Sequence, residues 1–146
     1  MAVTILIVDD NAQLRAFLRE IVAVESDLHV VGEAADGAEA MRLAQELRPD
    51  IMLLDLIMPG VNGLEVLRWI KAERPEIKVI IVTVHAEDAY RQAAEANGAD
   101  VFLLKKTLGT VLVPTIQCLR SSLAPPQASQ DNAQPGHGRQ PCCETS

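Results

Sequence analysis

The sequence contains few cysteines, no cluster of basic residues and no long apolar run. Cys118, Cys142 and Cys143 are too few for a disulfide framework, and we interpret them as incidental. Without a run of Lys or Arg, and with a net charge of −7, direct nucleic-acid binding is not expected. No apolar stretch reaches the ~18 residues of a membrane-spanning helix, and the start lacks a charged n-region. We therefore expect a cytoplasmic protein without a membrane partner.

The composition is that of an ordinary folded protein. Hydrophobic residues make up 49% of the 146 positions and charged residues 23%, which suits one domain with one core. After Ala124 the sequence becomes rich in Pro, Gln, Ser and Gly and nearly free of apolar side chains, so it cannot bury enough surface to offset its ordering entropy. We predict a folded domain over residues 1–123 and a disordered tail over residues 124–146.

Apolar, β-branched runs alternate with segments of helical periodicity, which predicts an α/β fold with a doubly wound parallel sheet. The predicted strands are residues 3–8, 29–34, 51–54, 79–83 and 101–104. The first predicted helix starts near Asn11, and the other four cover residues 37–47, 63–73, 87–97 and 110–123.

Three details of these helices are testable. The first helix is expected to bury Leu14, Phe17, Leu18, Ile21 and Val22, and the second Ala40, Met41, Ala44 and Leu47. The fourth is rich in alanine, so it should be weakly anchored. Pro114 lacks a backbone donor, so the last helix should start late or kink there.

Polar side chains stand at the carboxyl ends of the predicted strands, where ligands bind in open parallel sheets. They are Asp9, Asp10, Asp55, Thr83 and Lys105. Three carboxylates brought together repel one another unless a cation neutralises them. The cluster therefore predicts a hard, oxygen-seeking metal such as Mg²⁺.

Four motifs occur in one order along the chain: IVDD at residues 7–10, DLIMPG at residues 55–60 followed by Gly63, Thr83 ending the fourth strand, and GADVFLLK at residues 98–105. Together, over residues 2–122, they resemble the receiver domain of bacterial two-component response regulators. The FLLKKT ending is most similar to receivers that precede LuxR-type helix-turn-helix domains. The resemblance implies a flavodoxin-like (β/α)5 fold with strand order 2-1-3-4-5.

The resemblance also implies site roles. Asp55 is the expected phosphoacceptor, and a sensor histidine kinase is the expected donor of the phosphoryl group. Asp10 is expected to bind Mg²⁺ directly and Asp9 largely through water, with Asp55 and the backbone carbonyl of Ile57 as further ligands.

The remaining implied roles belong to the fourth and fifth strands. Lys105 would pair with one phosphoryl oxygen and the Thr83 hydroxyl with another, while Phe102 matches the switch aromatic that responds to Thr83. Three alternatives stay open: that Thr83 is an ordinary strand residue, that Phe102 only packs in the core, and that Lys106 rather than Lys105 is the active lysine.

Several functions remain to be separated. The leading one is a phosphoacceptor signalling protein, not an enzyme beyond self-phosphorylation from small donors and autodephosphorylation, which acts on a downstream protein or an output domain absent from this chain. Alternatives are a fragment of a DNA-binding regulator and a phosphorylation-independent interaction module. Two further classes are disfavoured. An aspartyl phosphatase would need a second Asp as general acid where Ile57 stands, and a flavodoxin-type binder would need a Gly- or Ser-rich phosphate loop after the first strand, which the sequence lacks. In the receiver family the last helix commonly helps to form a dimer surface. Pro114 lies in that helix here, so a homodimer is left open.

Overall fold

The computed structural model describes residues 2–58, 60 and 62–120, and within them strands and helices alternate along the chain. In order they are β1 Val3–Val8, α1 Ala12–Ala23, β2 Leu28–Ala34, α2 Gly37–Leu47, β3 Ile51–Leu54, α3 Gly63–Glu73, β4 Lys78–Thr83, α4 Asp88–Ala96, β5 Val101–Leu104, a 3-10 turn Lys105–Thr107 and α5 Leu108–Arg120. The strands form one parallel sheet in the order β2-β1-β3-β4-β5. The predicted doubly wound fold and strand order are confirmed.

Helices cover both faces of the sheet because its strands are apolar on both sides. Ile5 and Ile7 of β1 pack into a core with α1 and α5, which we call the α1/α5 face. Leu6 and Val8 point the other way, into a core with α2, α3 and α4, which we call the α2–α4 face. Successive β1 side chains thus alternate between the two cores, as a two-residue period requires.

Side-chain caps begin the first three helices. The Asn11 side chain accepts hydrogen bonds from the backbone N–H groups of Gln13 and Leu14, and Asp36 and Asn62 cap α2 and α3 in the same way. Helix α4 has no such bond at Glu87, and Ala94 is its only fully buried side chain among the described residues. This agrees with the expected weak anchoring of α4.

The structure corrects three expectations for the helices. Phe17 is 44% exposed and Leu47 38% exposed, so both lie on the edge of their apolar stripes rather than in the core. Helix α5 begins at Leu108, six residues before Pro114, so the expected late start is wrong, while the alternative of a kink at Pro114 stays a prediction. The burial of Leu108 and Leu112 stabilises this first turn, and Pro114 faces solvent, where water can hydrate the carbonyl that its ring leaves without a donor.

The expectation for the cysteines was wrong for Cys118, which is disulfide-bonded. Cys142 and Cys143 lie outside the described residues, as does the predicted tail over residues 124–146. Over residues 2–58, 60 and 62–120, no helix is long and apolar enough to cross a membrane.

Candidate functional site

The predicted site residues meet at one edge of the sheet. Asp9 directly follows β1 and Asp55 directly follows β3, and these two strands are neighbours in the sheet. Thr83 is the last residue of β4, and Lys105 directly follows β5. Because the strands are parallel, their carboxyl ends bring these side chains to the same rim.

Three carboxyl groups form the centre of the site. One carboxylate oxygen from each of Asp9, Asp10 and Asp55 lies within 4.8 Å of the others. Asp9 is 1% exposed and Asp55 5% exposed, while Asp10 faces solvent. Buried, crowded carboxylate oxygens are the donor set that a hard divalent cation prefers, so the residues present fit Mg²⁺.

Lys105 lies between the two buried acids. Its Nζ is 2.9 Å from Asp9 Oδ2 and 3.4 Å from Asp55 Oδ2. Lys106 is exposed, so Lys105 is the lysine that reaches the acids.

The charges in the site shift two pKa values upward. Burial raises the pKa of Asp55, the charge of Asp9 raises it further, and Lys105 only partly opposes them. Burial by itself would lower the pKa of Lys105, but its hydrogen bond to Asp9 and the charges of Asp55 and Asp9 outweigh burial and raise it. The positive charge of Lys105 therefore does not fully offset the burial of Asp55 and the charge of Asp9.

Backbone amides hold two of the carboxylates in place. Asp9 Oδ1 accepts a hydrogen bond from the backbone N–H of Asn11 at 2.8 Å. Asp55 Oδ1 accepts one from the backbone N–H of Ile57 at 3.3 Å. The Ile57 side chain is 47% exposed at the mouth of the site.

Gly63 makes the loop after Asp55 possible. A Cβ at this position would lie 2.5 Å from the Asp55 carbonyl oxygen and 2.5 Å from Leu56 Cα. Both are backbone atoms that cannot move aside without disturbing the loop, and the Gly63 N–H also donates to the Leu56 carbonyl at 2.9 Å. Close approach of helix and loop therefore requires glycine here.

Thr83 and Phe102 are both buried on neighbouring strands, at 0% and 4% exposure. The Thr83 hydroxyl accepts a hydrogen bond from the backbone N–H of His85 at 3.2 Å. The guanidinium carbon of Arg91, on α4, lies 4.6 Å from the centre of the Phe102 ring. Phe102 thus contacts α4 through a charged side chain as well as through the core.

Sequence reasoning missed one residue that contacts the site. Arg15, on α1, was not among the predicted site residues, yet its Nη1 donates to the carbonyl oxygen of Asp9 at 2.6 Å. Residue spacing gave no signal for this contact, because Arg15 lies six residues after Asp9 and bonds its backbone carbonyl rather than its carboxylate.

Comparison with known proteins agrees with this geometry. The family model of the response regulator receiver domain matches residues 5–117. The response regulator protein VraR of Staphylococcus epidermidis is 35% identical over 117 residues, which are 80% of this chain and 56% of that protein. The chain therefore spans just over half the length of the curated relatives it matches.

Two solved structures share the fold and about a third of the aligned residues. A LuxR-family two-component response regulator from Aurantimonas sp. SI85-9A1 has a TM-score of 0.79 at 31% identity, covering 89% of this chain and 94% of that chain. The response regulator domain of Thermotoga maritima CheB has a TM-score of 0.76 at 34% identity, covering 84% and 97%. With four motifs, one acidic rim and these matches in agreement, the chain belongs to the response regulator receiver domain family.

Proposed function

We propose that Asp55 accepts a phosphoryl group from a phosphohistidine of a sensor histidine kinase. The observation that carries this proposal is the buried Asp55 carboxylate, 3.4 Å from Lys105 Nζ and clustered with Asp9 and Asp10. An Asp55 oxygen attacks phosphorus, the P–N bond breaks, and the imidazole nitrogen keeps the electron pair and takes up a proton. Such a transfer needs mainly positioning and charge neutralisation.

Asp9, Asp10, Asp55 and the backbone carbonyl of Ile57 would hold Mg²⁺ beside the acceptor. Asp10 would bind directly and Asp9 largely through water. When bound, the cation would neutralise the negative charge of the acids and of the phosphoryl oxygens. The raised pKa of Asp55 supports this role, because it reflects burial of the carboxyl group and the nearby charge of Asp9, which Lys105 does not fully offset.

Lys105 and Thr83 would bind the transferred group. The Lys105 ammonium can exchange its contacts with Asp9 and Asp55 for a phosphoryl oxygen. The Thr83 hydroxyl already accepts a hydrogen bond from the His85 N–H, so its own hydrogen can be donated to a second phosphoryl oxygen.

Thr83 and Phe102 would convert this chemistry into a change of surface. Movement of Thr83 toward the phosphoryl group changes the space available to Phe102 on the adjacent strand, and Phe102 contacts α4 through Arg91. Because α4 buries only Ala94 fully among its described residues, its position costs little to change. The α4 surface would then report phosphorylation to a partner.

The output partner is part of the proposal. The chain would form a cytoplasmic receiver domain over residues 1–123 that signals to a downstream protein or to an output domain. A second candidate, a fragment of a DNA-binding transcriptional regulator, is supported by the coverage of 56% of VraR and by the likeness to a LuxR-family regulator.

The first test is phosphorylation of the purified chain by acetyl phosphate or phosphoramidate, followed by intact mass. We expect a gain of one phosphoryl group that requires Mg²⁺ and does not occur when EDTA is present during the reaction. Asp55→Asn should abolish the gain, because an amide oxygen is a poor nucleophile.

Asp88→Asn is the matched control, since Asp88 is an exposed acid in the first turn of α4 that does not belong to the cluster of Asp9, Asp10 and Asp55. It should be phosphorylated like the unmodified chain. If neither donor modifies the unmodified chain, the proposed acceptor role is wrong and the chain is a phosphorylation-independent interaction module.

A further inference from the structure

Arg15, on α1, contacts both the end of β1 and strand β2 beside the acidic cluster. Its Nη1 donates to the carbonyl oxygen of Asp9 at 2.6 Å, and its Nε donates to Glu33 Oε1 at 2.9 Å. The Arg15 side chain is only 17% exposed. The Asp9 carbonyl belongs to the peptide bond between Asp9 and Asp10, so Arg15 holds the peptide plane that links two of the three clustered acids.

An irregularity in β2 aims Glu33 at Arg15. Val30 pairs with Ile5 and Gly32 pairs with Leu6, which makes Val31 an extra residue between them, a β-bulge. After the bulge, Glu33 pairs with Ile7.

The bulge changes the face on which Glu33 lies. Ile7 packs into the α1/α5 face, so its partner Glu33 is on that face too, where Arg15 is located. In a regular strand Glu33 would have lain opposite to Val30, on the α2–α4 face. The ion pair therefore depends on one inserted residue.

We propose that Arg15 and Glu33 form a brace, the Arg15–Glu33 brace, that orients the Asp9–Asp10 peptide so that both carboxylates face the same cation. This inference rests on the proposed function, because it concerns the same cation site. Arg15 and Glu33 touch none of the reacting atoms, so they are positioning residues. The bond from a guanidinium to a backbone carbonyl is charge-assisted, and the planar fork lets one side chain bond Asp9 and Glu33 together.

The direction in which Mg²⁺ affinity changes on removal of Arg15 distinguishes a positioning role of its side chain from an effect of its positive charge alone. If Arg15 acted only through its positive charge, it would repel a cation at the cluster, and removing it would tighten Mg²⁺ binding. If Arg15 acts by holding the Asp9–Asp10 peptide, removing it lets the two carboxylates separate, and Mg²⁺ binding weakens. A purely structural role would lower thermal stability without changing the affinity of the folded protein.

The experiment is calorimetric titration of the full chain with MgCl₂, combined with thermal unfolding in EDTA. We expect Arg15→Ala to raise the Kd for Mg²⁺ about tenfold, the lower end of what loss of an outer-sphere partner costs. Arg15→Lys keeps the charge but cannot bond Asp9 and Glu33 at once, so it should raise the Kd by less. Glu33→Gln should shift the Kd in the same direction, since Arg15 loses its charged partner.

Arg19→Ala is the matched control. Arg19 Nη1 lies 2.9 Å from Glu33 Oε2, and its side chain is 52% exposed, but its hydrogen bond goes to Glu33 rather than to the Asp9 carbonyl. Its removal should leave the Kd for Mg²⁺ unchanged.

The outcomes are distinguishable. If the unmodified chain fails to bind Mg²⁺, the proposed cation site and the brace are both wrong. If it binds Mg²⁺, and Arg15→Ala binds equally or more tightly, the brace alone is wrong. Should Arg15→Ala fail to fold, unchanged Kd values in Arg15→Lys and Glu33→Gln overturn the brace, and raised values support it.

Discussion

At the scale of single residues, Gly63 sets how closely α3 approaches the loop after Asp55. Replacing it with alanine would place a methyl group 2.5 Å from backbone atoms of Asp55 and Leu56. We expect Gly63→Ala to lower the free energy of unfolding by about 1–3 kcal/mol, the usual cost of overpacking, measured by urea denaturation.

Gly109 provides the control for that change. It also lies in a helix, α5, but a Cβ there would meet nothing within 4 Å. Gly109→Ala should be neutral or stabilise by about 0.5–1 kcal/mol through helix propensity. Equal effects of the two substitutions would show that contact with the loop after Asp55 does not decide the cost at Gly63.

Most of the site could be predicted at this scale because each residue stands at the end of an apolar strand. Asp9, Asp55 and Lys105 needed only the rule that parallel strands end at one rim. Arg15 could be seen as a polar helix residue, but its bond to Glu33 could not. That bond depends on the β-bulge at Val31, and nothing in the local sequence shows where a strand gains an extra residue.

At the scale of elements, α4 differs from the other helices in how little it buries. It has no side-chain cap bond at its start and buries only Ala94 fully, whereas α3 buries Gly63, Val66, Leu67 and Ile70. Local opening of α4 should therefore cost less free energy than opening of α3.

Hydrogen–deuterium exchange with peptide resolution checks this difference. Peptides from α4 should exchange before peptides from α3, under native conditions and without Mg²⁺ or phosphoryl donor. Equal protection of the two helices would contradict weak anchoring, and with it the low cost assigned to moving the α4 surface.

Element boundaries were predicted well where capping residues and prolines mark them. Helices α2 and α3 have the predicted limits, with Asp36 and Asn62 as caps. The start of α5 was wrong because a local rule about Pro114 was outweighed by tertiary burial of Leu108 and Leu112. Phe17 and Leu47 show that helical spacing predicts a stripe but not how far the core extends across it.

At the scale of the whole molecule, the burial of the Asp55 carboxylate close to Asp9 opposes folding when no cation is bound. The folded-state pKa of Asp55 is raised above its ordinary value of 3.8, so the folded protein binds a proton more readily than the unfolded chain does. Above that value, ionised Asp55 destabilises the fold, and stability is lost as the pH rises through the folded-state pKa.

Asp55→Asn removes that ionisation and leaves Lys105 its closer contact with Asp9 at 2.9 Å. We expect it to raise the free energy of unfolding at pH 7 in EDTA, with the gain shrinking as the pH falls toward 3.8. Urea denaturation across that pH range measures the effect.

Asp36→Asn is the control, because Asp36 is an exposed N-cap of α2 and asparagine caps about as well. It should leave the free energy of unfolding at pH 7 nearly unchanged. A loss of stability in Asp55→Asn at pH 7 would mean that the Asp55–Lys105 contact outweighs the cost of burying the charge.

The β-bulge at Val31 has a second consequence, for how separate molecules meet. Strand β2 is an edge of the sheet, and a straight edge exposes unpaired N–H and C=O groups to which a strand of another molecule can add. The extra residue breaks the regular spacing of those groups midway along β2. The same inserted residue that aims Glu33 at Arg15 should therefore also keep receiver sheets from joining edge to edge into aggregates.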